Sequence, residues 1–149
     1  MHWDYTFDVV VVGSGNGALT AALCSHDGGA KTLVIEKSDQ FGGTSATSGG
    51  GVWIPNNRYA KAENVDDSPE DARQYIDSVS PDGMIKDELI ETYISEGPRM
   101  VDYLHENSQV KYRNLQHYPD YFPDNPGGKG GNRSMEPEPI FGTELGNDL

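Results

Sequence analysis

The chain has 149 residues, a formal net charge of −13, and only 35% hydrophobic residues. That length suffices for one domain with a core of its own. Most of the negative charge falls after residue 60 and reads as a solvated exterior; no basic patch offers itself to phosphates, which argues against a nucleic-acid partner. A single cysteine, Cys24, excludes an internal disulfide. Its place in a helix beside Leu23 predicts a buried structural thiol. Four scattered histidines lack metal-ligand spacing, so no metal site is expected. No run approaches the ~18 apolar residues of a membrane span, and the first residues do not resemble a signal peptide. A soluble cytoplasmic protein is therefore expected.

The first element is a strand. Asp8 is followed by four valines, too short and too β-branched for a helix, which predicts a parallel strand buried on both faces. Gly13-Ser-Gly15-Asn16-Gly17-Ala18 follows, where such a strand turns sharply into a helix. Gly13 permits the tight turn, Gly15 lets backbone approach a pyrophosphate, and Ala18 keeps helix and strand close. The free N–H groups and dipole of the first helical turn attract phosphate. Ala18-Leu19 and Ala21-Ala22-Leu23 are expected to face the sheet. The second strand, Lys31 to Ile35, ends at Glu36, placed to accept a hydrogen bond from a ribose 2′-OH and to repel a 2′-phosphate. Strand, turn, helix, strand and acid arrive in order, which makes a nucleotide diphosphate the expected ligand.

The next segment separates FAD from a nicotinamide cofactor. Ten of the 18 glycines lie between Gly13 and Gly51. After Glu36-Lys37 come Phe41-Gly42-Gly43-Thr44-Ser45 and Ser48-Gly49-Gly50-Gly51-Val52-Trp53-Ile54-Pro55. Glycine-rich turns expose N–H groups that bind anions; Thr44, Ser45 and Ser48 add hydroxyl donors; bare glycine lets a flat ring lie against the backbone. The second strand thus runs on into a further binding segment, as for a longer ligand.

The middle of the chain reads as helical. Ser68-Pro69-Glu70-Asp71 is a helix start, with a serine cap, proline in the first turn and acids at the positive end of the dipole. This helix runs to about Val79, before Pro81-Asp82-Gly83. A second is expected from about Ile85 to Ser95, with Ile85, Leu89, Ile90 and Ile94 on one stripe. Gly97-Pro98 is expected to interrupt, and a third helix follows from Arg99 to Glu106, burying Met100, Val101 and Leu104. Val110 to Leu115 alternates like a short strand. Then His117-Tyr118-Pro119-Asp120-Tyr121-Phe122-Pro123 and the four glycines between Pro126 and Arg133 read as a stiff, irregular loop. It forms either a surface loop or the wall of a pocket for a flat apolar substrate. A tyrosine hydroxyl there can handle a proton if its neighbours lower its pKa from ~10.

The motifs in residues 8–55 resemble the FAD-binding 2 family, which includes the fumarate reductase and succinate dehydrogenase flavoproteins. Within it they are most similar to the 3-ketosteroid dehydrogenases, especially the Δ1 type. Tyr118-Pro-Asp-Tyr-Phe122 and Pro126 to Pro137 add a further match, whereas residues 57–115 carry no specific motif. The resemblance implies an α/β fold: an incomplete Rossmann-like FAD domain with a parallel sheet, a helical insertion and an irregular tail. It implies a nucleotide-binding core and flavin loop over residues 7–56. Residues 57–115 would be a mainly helical part of the same domain, and 116–149 a segment leading to a substrate domain. The chain would be the N-terminal part of a longer flavoprotein. FAD would be held by Gly13, Gly15, Asn16, Gly17, Ala18, Glu36, Lys37, Gly43, Thr44, Ser45, Ser48, Gly49, Gly50 and Gly51. Tyr118 would line the pocket of a small, steroid-like substrate. Tyr121 would be catalytic, assisting a second tyrosine that removes the C2 proton of a 3-ketosteroid while a hydride leaves C1 for flavin N5. A fumarate reductase-like dehydrogenase and a non-catalytic nucleotide-binding module remain open as alternatives.

Overall fold

A computed structural model describes residues 4–143 and 146. The chain divides into two compact units, one up to Gly50 and one from Gly51. Among the described residues no helix is long and apolar enough to cross a membrane.

The first unit is a β-α-β arrangement. Strand β1 (Val9–Val12), helix α1 (Asn16–Asp27) and strand β2 (Thr32–Ile35) follow one another. The strands pair in parallel, with Val9 opposite Thr32 and Val12 opposite Ile35. The Asp8 carboxylate closes the near end by accepting the Lys31 amide at 2.8 Å. Gly13 N–H closes the far end on the Ile35 carbonyl at 2.7 Å. The sequence predicts burial on both faces of β1, and the structure differs: Val10 and Val12 are 52% and 78% exposed. Two strands with a single helix cover one face only, so the period of two shows in a run that is apolar throughout. The helix differs likewise. Ala18, Ala22 and Leu23 turn partly inward, while Leu19, Ala21 and Cys24 are exposed. Cys24 falls on the solvent side of the 3.6-residue period, which sequence adjacency to Leu23 does not reveal.

The second unit has an antiparallel sheet in the order β3-β5-β4, formed by Val52–Trp53, Ser134–Pro137 and Tyr112–Asn114. Helices α2 (Arg58–Ala62), α3 (Pro69–Val79) and α4 (Asp87–Asn107) complete it. Buried Ile54, Val101 and Met135 form one core, and Ala72, Ile90 and Ile94 form another between α3 and α4. Helix α3 starts as predicted: the Ser68 hydroxyl accepts the Asp71 amide at 3.0 Å. Helix α4 corrects the sequence reading, because one helix runs unbroken through Pro98. Its buried stripe is Ile90, Ile94, Gly97, Val101 and Leu104, while Ile85 and Leu89 are exposed. An internal proline costs about 3 kcal/mol. Burying four large aliphatic side chains at about 1.5–3 kcal/mol each outweighs it. Gly97 has a packing reason as well: a Cβ there would stand 3.3 Å from two carbons of Ile54. Strand β5 has no counterpart in the sequence reading. Ser-Met-Glu-Pro carries little strand propensity, and its place is set by the fully buried Met135.

Candidate functional site

The turn after β1 forms a cleft of about 410 Å³ lined by Gly13, Ser14, Gly15, Glu36, Lys37 and Gly43. Gly13 has φ +97°, where only glycine is free of strain. Gly15 is different. Its backbone is extended, and an added Cβ would find only ordinary contacts, 3.6 Å from Ser45 Oγ and 3.9 Å from the Gly42 carbonyl. Gly17 has nothing within 4 Å of such a Cβ. The fold itself does not require glycine at either position, so bare backbone there suits a close-lying ligand. Helix α1 also begins at Gly15, which has no side chain to cap it, and carries no acid in its first turn. Its positive end, where Asn16, Gly17 and Ala18 sit, therefore carries no fixed counter-charge.

Glu36 is ordered by three bonds to its carboxylate. Ser14, only 3% exposed, donates from Oγ to Glu36 Oε2 at 2.5 Å. The Lys37 and Ser38 amides donate to Oε1 at 2.8 and 3.1 Å. The Ser14 hydroxyl in turn accepts the Gly42 amide at 2.8 Å. These donors, the Ser14 hydroxyl foremost, hold the Glu36 carboxyl below its usual range, so it stays ionised and acceptor-only. The sequence carries no signal for Ser14, because the second motif position has no fixed chemistry.

The glycine-rich segment is partly spent on its own folding. Gly43–Thr47 forms a short 3-10 turn, and Ser45 Oγ accepts the Asn16 amide at 3.1 Å. Thr47 Oγ1 donates to the Thr44 carbonyl, and Ser48 Oγ donates to the Ser45 carbonyl while accepting the Gly50 amide. Gly43, at φ +55°, stands where a Cβ would be 3.7 Å from the backbone of Gly15. Thr44, Ser45, Ser48, Gly49 and Gly50 lie outside the lining of the 410 Å³ cleft. Gly51 belongs to the second unit, against the Met135 carbonyl.

The second unit holds an aromatic cleft of about 330 Å³, walled by Trp53, Tyr75, Val79, Tyr118, Tyr121 and Phe122. Tyr118 and Phe122 are about half exposed and Tyr121 is 85% exposed. The acid between them points inward. Asp120 accepts Trp53 Nε1–H at 2.6 Å, the Lys129 amide at 2.9 Å and Arg133 Nη1–H at 2.9 Å. Arg133 also reaches Asp67 at 2.7 Å, and its guanidinium lies 5.5 and 5.7 Å from the Trp53 and Tyr75 ring centres. The side chains of Arg133, Asp67 and Asp120 are at most 4% exposed. One cation between two carboxylates leaves an excess negative charge. The Asn56, Ser68, Trp53 and Lys129 N–H donors offset it. Removing one member of such a buried set costs about 3–5 kcal/mol. Asp67, Asp120 and Arg133 escaped the sequence reading, because a single charge near prolines and glycines reads as solvated loop.

Comparison with known proteins places these features. Residues 8–148 match the family model described as an FAD binding domain. The chain is 44% identical, over 96% of its length, to the 3-oxosteroid 1-dehydrogenase of Mycolicibacterium smegmatis, of which it spans 25%. It is 40% identical over 97% of its length to the 4-oxocyclohexanecarboxylate 2-dehydrogenase of Sinomonas cyclohexanicum, again spanning 25%. Among solved structures, the 3-ketosteroid Δ1-dehydrogenase of Sterolibacterium denitrificans, in complex with 1,4-androstadiene-3,17-dione, superposes with a TM-score of 0.87. The identity there is 42%, covering 95% of this chain and 25% of that one. The chain thus spans about a quarter of the relatives it matches. Its glycine turn, acid-free helix start and ordered Glu36 fit the ADP end of a dinucleotide, and the chain belongs to the FAD-binding-domain family, with FAD as its cofactor.

Proposed function

We propose that this chain is the flavin-binding front of a 3-ketosteroid Δ1-dehydrogenase that works in the cytoplasm. The observation that carries the reading is the aromatic cleft of the second unit, lined by Trp53, Tyr75, Tyr118, Tyr121 and Phe122. Flat aromatic walls suit a fused-ring ketone. The two named relatives support it together, since each acts on a cyclic ketone.

In this reading the first unit grips FAD. Glu36 accepts from the ribose, and the pyrophosphate lies over Gly13, Gly15, Asn16, Gly17 and Ala18. Lys37, Gly43, Thr44, Ser45, Ser48, Gly49 and Gly50 serve the remaining pyrophosphate and flavin contacts. FAD, when bound, supplies the acceptor for the hydride that leaves C1. Tyr118 orients the steroid in the cleft. Tyr121 assists removal of the C2 proton by hydrogen bonding to the base that takes it. The bonds C1–H and C2–H break, and the C1–C2 double bond forms.

The test uses the enzyme that carries this segment, purified with its flavin. Substrates are 4-androstene-3,17-dione, 4-oxocyclohexanecarboxylate and fumarate, with an artificial electron acceptor for the two ketones and a reduced dye for fumarate. Formation of the 1,4-diene-3-one is expected. Turnover of fumarate alone would sink the reading; preference for the monocyclic ketone would move the substrate class. Cell fractionation checks the compartment, and recovery in the medium would overturn that part.

A further inference from the structure

We propose that Arg133 and Asp120 are positioning residues for Tyr121: the buried ion pair fixes the backbone on which that tyrosine stands. The proposal rests on the ketosteroid dehydrogenase reading for its catalytic consequence. Its structural basis stands apart from that reading.

Residues 118–122 are inverted relative to ordinary patterning. The acid is buried and the aromatics on either side are exposed. An exposed aromatic loop without a core of its own has little reason to hold one conformation. Here the anchor is the charge. Asp120 exchanges bonds with Lys129 twice, its amide donating to the Lys129 carbonyl at 3.0 Å and its Oδ2 accepting the Lys129 amide at 2.9 Å. Arg133 holds the same Oδ2 at 2.9 Å, and Trp53 Nε1–H holds Oδ1. The glycine-rich segment grips the loop on either side. A Cβ at Gly128 would be 2.4 Å from the Pro123 carbonyl, and one at Gly131 would be 2.0 Å from the Gln116 carbonyl. Neither residue tolerates a side chain without backbone movement. The Phe122 amide donates to Tyr75 Oη at 3.3 Å, fixing the next residue. Tyr121 itself makes none of these bonds, so its side chain is left for the cleft it lines.

The arrangement separates two tasks. Asp120 and Arg133 fix the loop from below, and Tyr118 and Tyr121 face whatever enters above. A group acting on a proton must be held close to its working geometry, and displacement by about 1 Å costs up to ~100-fold in rate. A guanidinium between two carboxylates suits that demand, because its planar fork fixes direction as well as distance.

The test is a double-mutant cycle in the flavin-loaded enzyme, with D120N, Y121F and the combined variant. D120N keeps the shape of the side chain and removes the charge that meets Arg133. For D120N alone, kcat on a 3-ketosteroid is expected to fall at least tenfold, with KM and flavin content within about twofold. In the Y121F background, D120N is expected to change kcat less than twofold, because the group being positioned is already gone. An equal, additive fall in both backgrounds overturns the proposal and leaves the pair a structural support. R133K is the second arm; it keeps the charge, loses the fork, and is expected to follow D120N in a weaker form. Hydrogen exchange gives a readout free of turnover. D120N should speed amide exchange at residues 117–123 while α4 keeps its protection, and unchanged exchange there overturns the proposal whatever the substrate. Loosened exchange in a protein whose wild type turns over no 3-ketosteroid would reject the steroid reading and retain the positioning role.

Discussion

Ser14 Oγ donates to Glu36 Oε2 at 2.5 Å and accepts the Gly42 amide at 2.8 Å, so one buried hydroxyl joins the first turn to the acid and to the glycine loop. Ser14→Ala removes that junction and leaves the Gly42 amide without its acceptor. Lost hydrogen bonds to charged groups are worth about 1.5–3 kcal/mol. FAD affinity should therefore fall about tenfold or more, read by titrating the apoprotein with FAD. Ser14→Thr should recover part of it. Unchanged affinity in Ser14→Ala would mean that the Lys37 and Ser38 amides suffice to hold the carboxylate.

Gly15 and Gly17 allow a separation of ligand effect from fold effect. Space exists for a Cβ at both, and neither has a positive φ. Gly15→Ala, which adds only the Cβ that has room, should leave stability within about 0.5 kcal/mol, the usual range for a tolerated substitution, and weaken flavin binding; the bulkier Gly15→Val should yield protein without flavin. Gly17→Ala lies inside α1 and should stabilise the apoprotein by about 0.5–1 kcal/mol through helix propensity. A yellow Gly15→Val protein with one flavin per chain would refute the close approach of pyrophosphate to this backbone.

The sequence carried the first unit almost whole, because its elements are set by local rules. Four β-branched residues, a turn glycine, a helix and an acid-terminated strand need no distant partner to be recognised. The second unit was less legible. Pro98 marked a break by local propensity, yet tertiary burial of Ile90, Ile94, Val101 and Leu104 keeps α4 continuous. Strand β5 exists because Met135 fills a core and pairs with Asn114 and Val52, both distant in sequence. The Arg133–Asp120–Asp67 set joins residues separated by 13 and 66 positions, a distance at which charge pairing leaves no periodic trace.

The sequence places Gly131 in a loop, and the structure makes it a packing residue. A Cβ there would meet the Gln116 carbonyl at 2.0 Å. Gly131→Ala should destabilise by about 1–3 kcal/mol, the range for forced overpacking, read as a lower thermal midpoint. Gly130→Ala is the control, since a Cβ at Gly130 meets nothing within 4 Å. Equal midpoints for the two variants would show that residues 126–133 shift without cost.

Tyr121 lines the aromatic cleft and is 85% exposed. If it assists the base at C2, it acts on the reacting proton, and its loss should lower kcat more than it raises KM. General acid–base groups contribute about 10²–10⁴-fold, and an assisting residue belongs at or below the low end. Tyr121→Phe keeps the ring and deletes only the hydroxyl, so kcat on 3-ketosteroids should fall about 10–100-fold with KM within about threefold. Phe122→Leu, in the same cleft, should instead raise KM and spare kcat, because it alters packing without removing a proton carrier. A primary isotope effect with C2-deuterated steroid should grow in Tyr121→Phe, as proton removal becomes more fully rate-limiting. Full turnover in Tyr121→Phe, with an unchanged isotope effect, would make Tyr121 a wall residue like Tyr118 and assign the proton step to other groups.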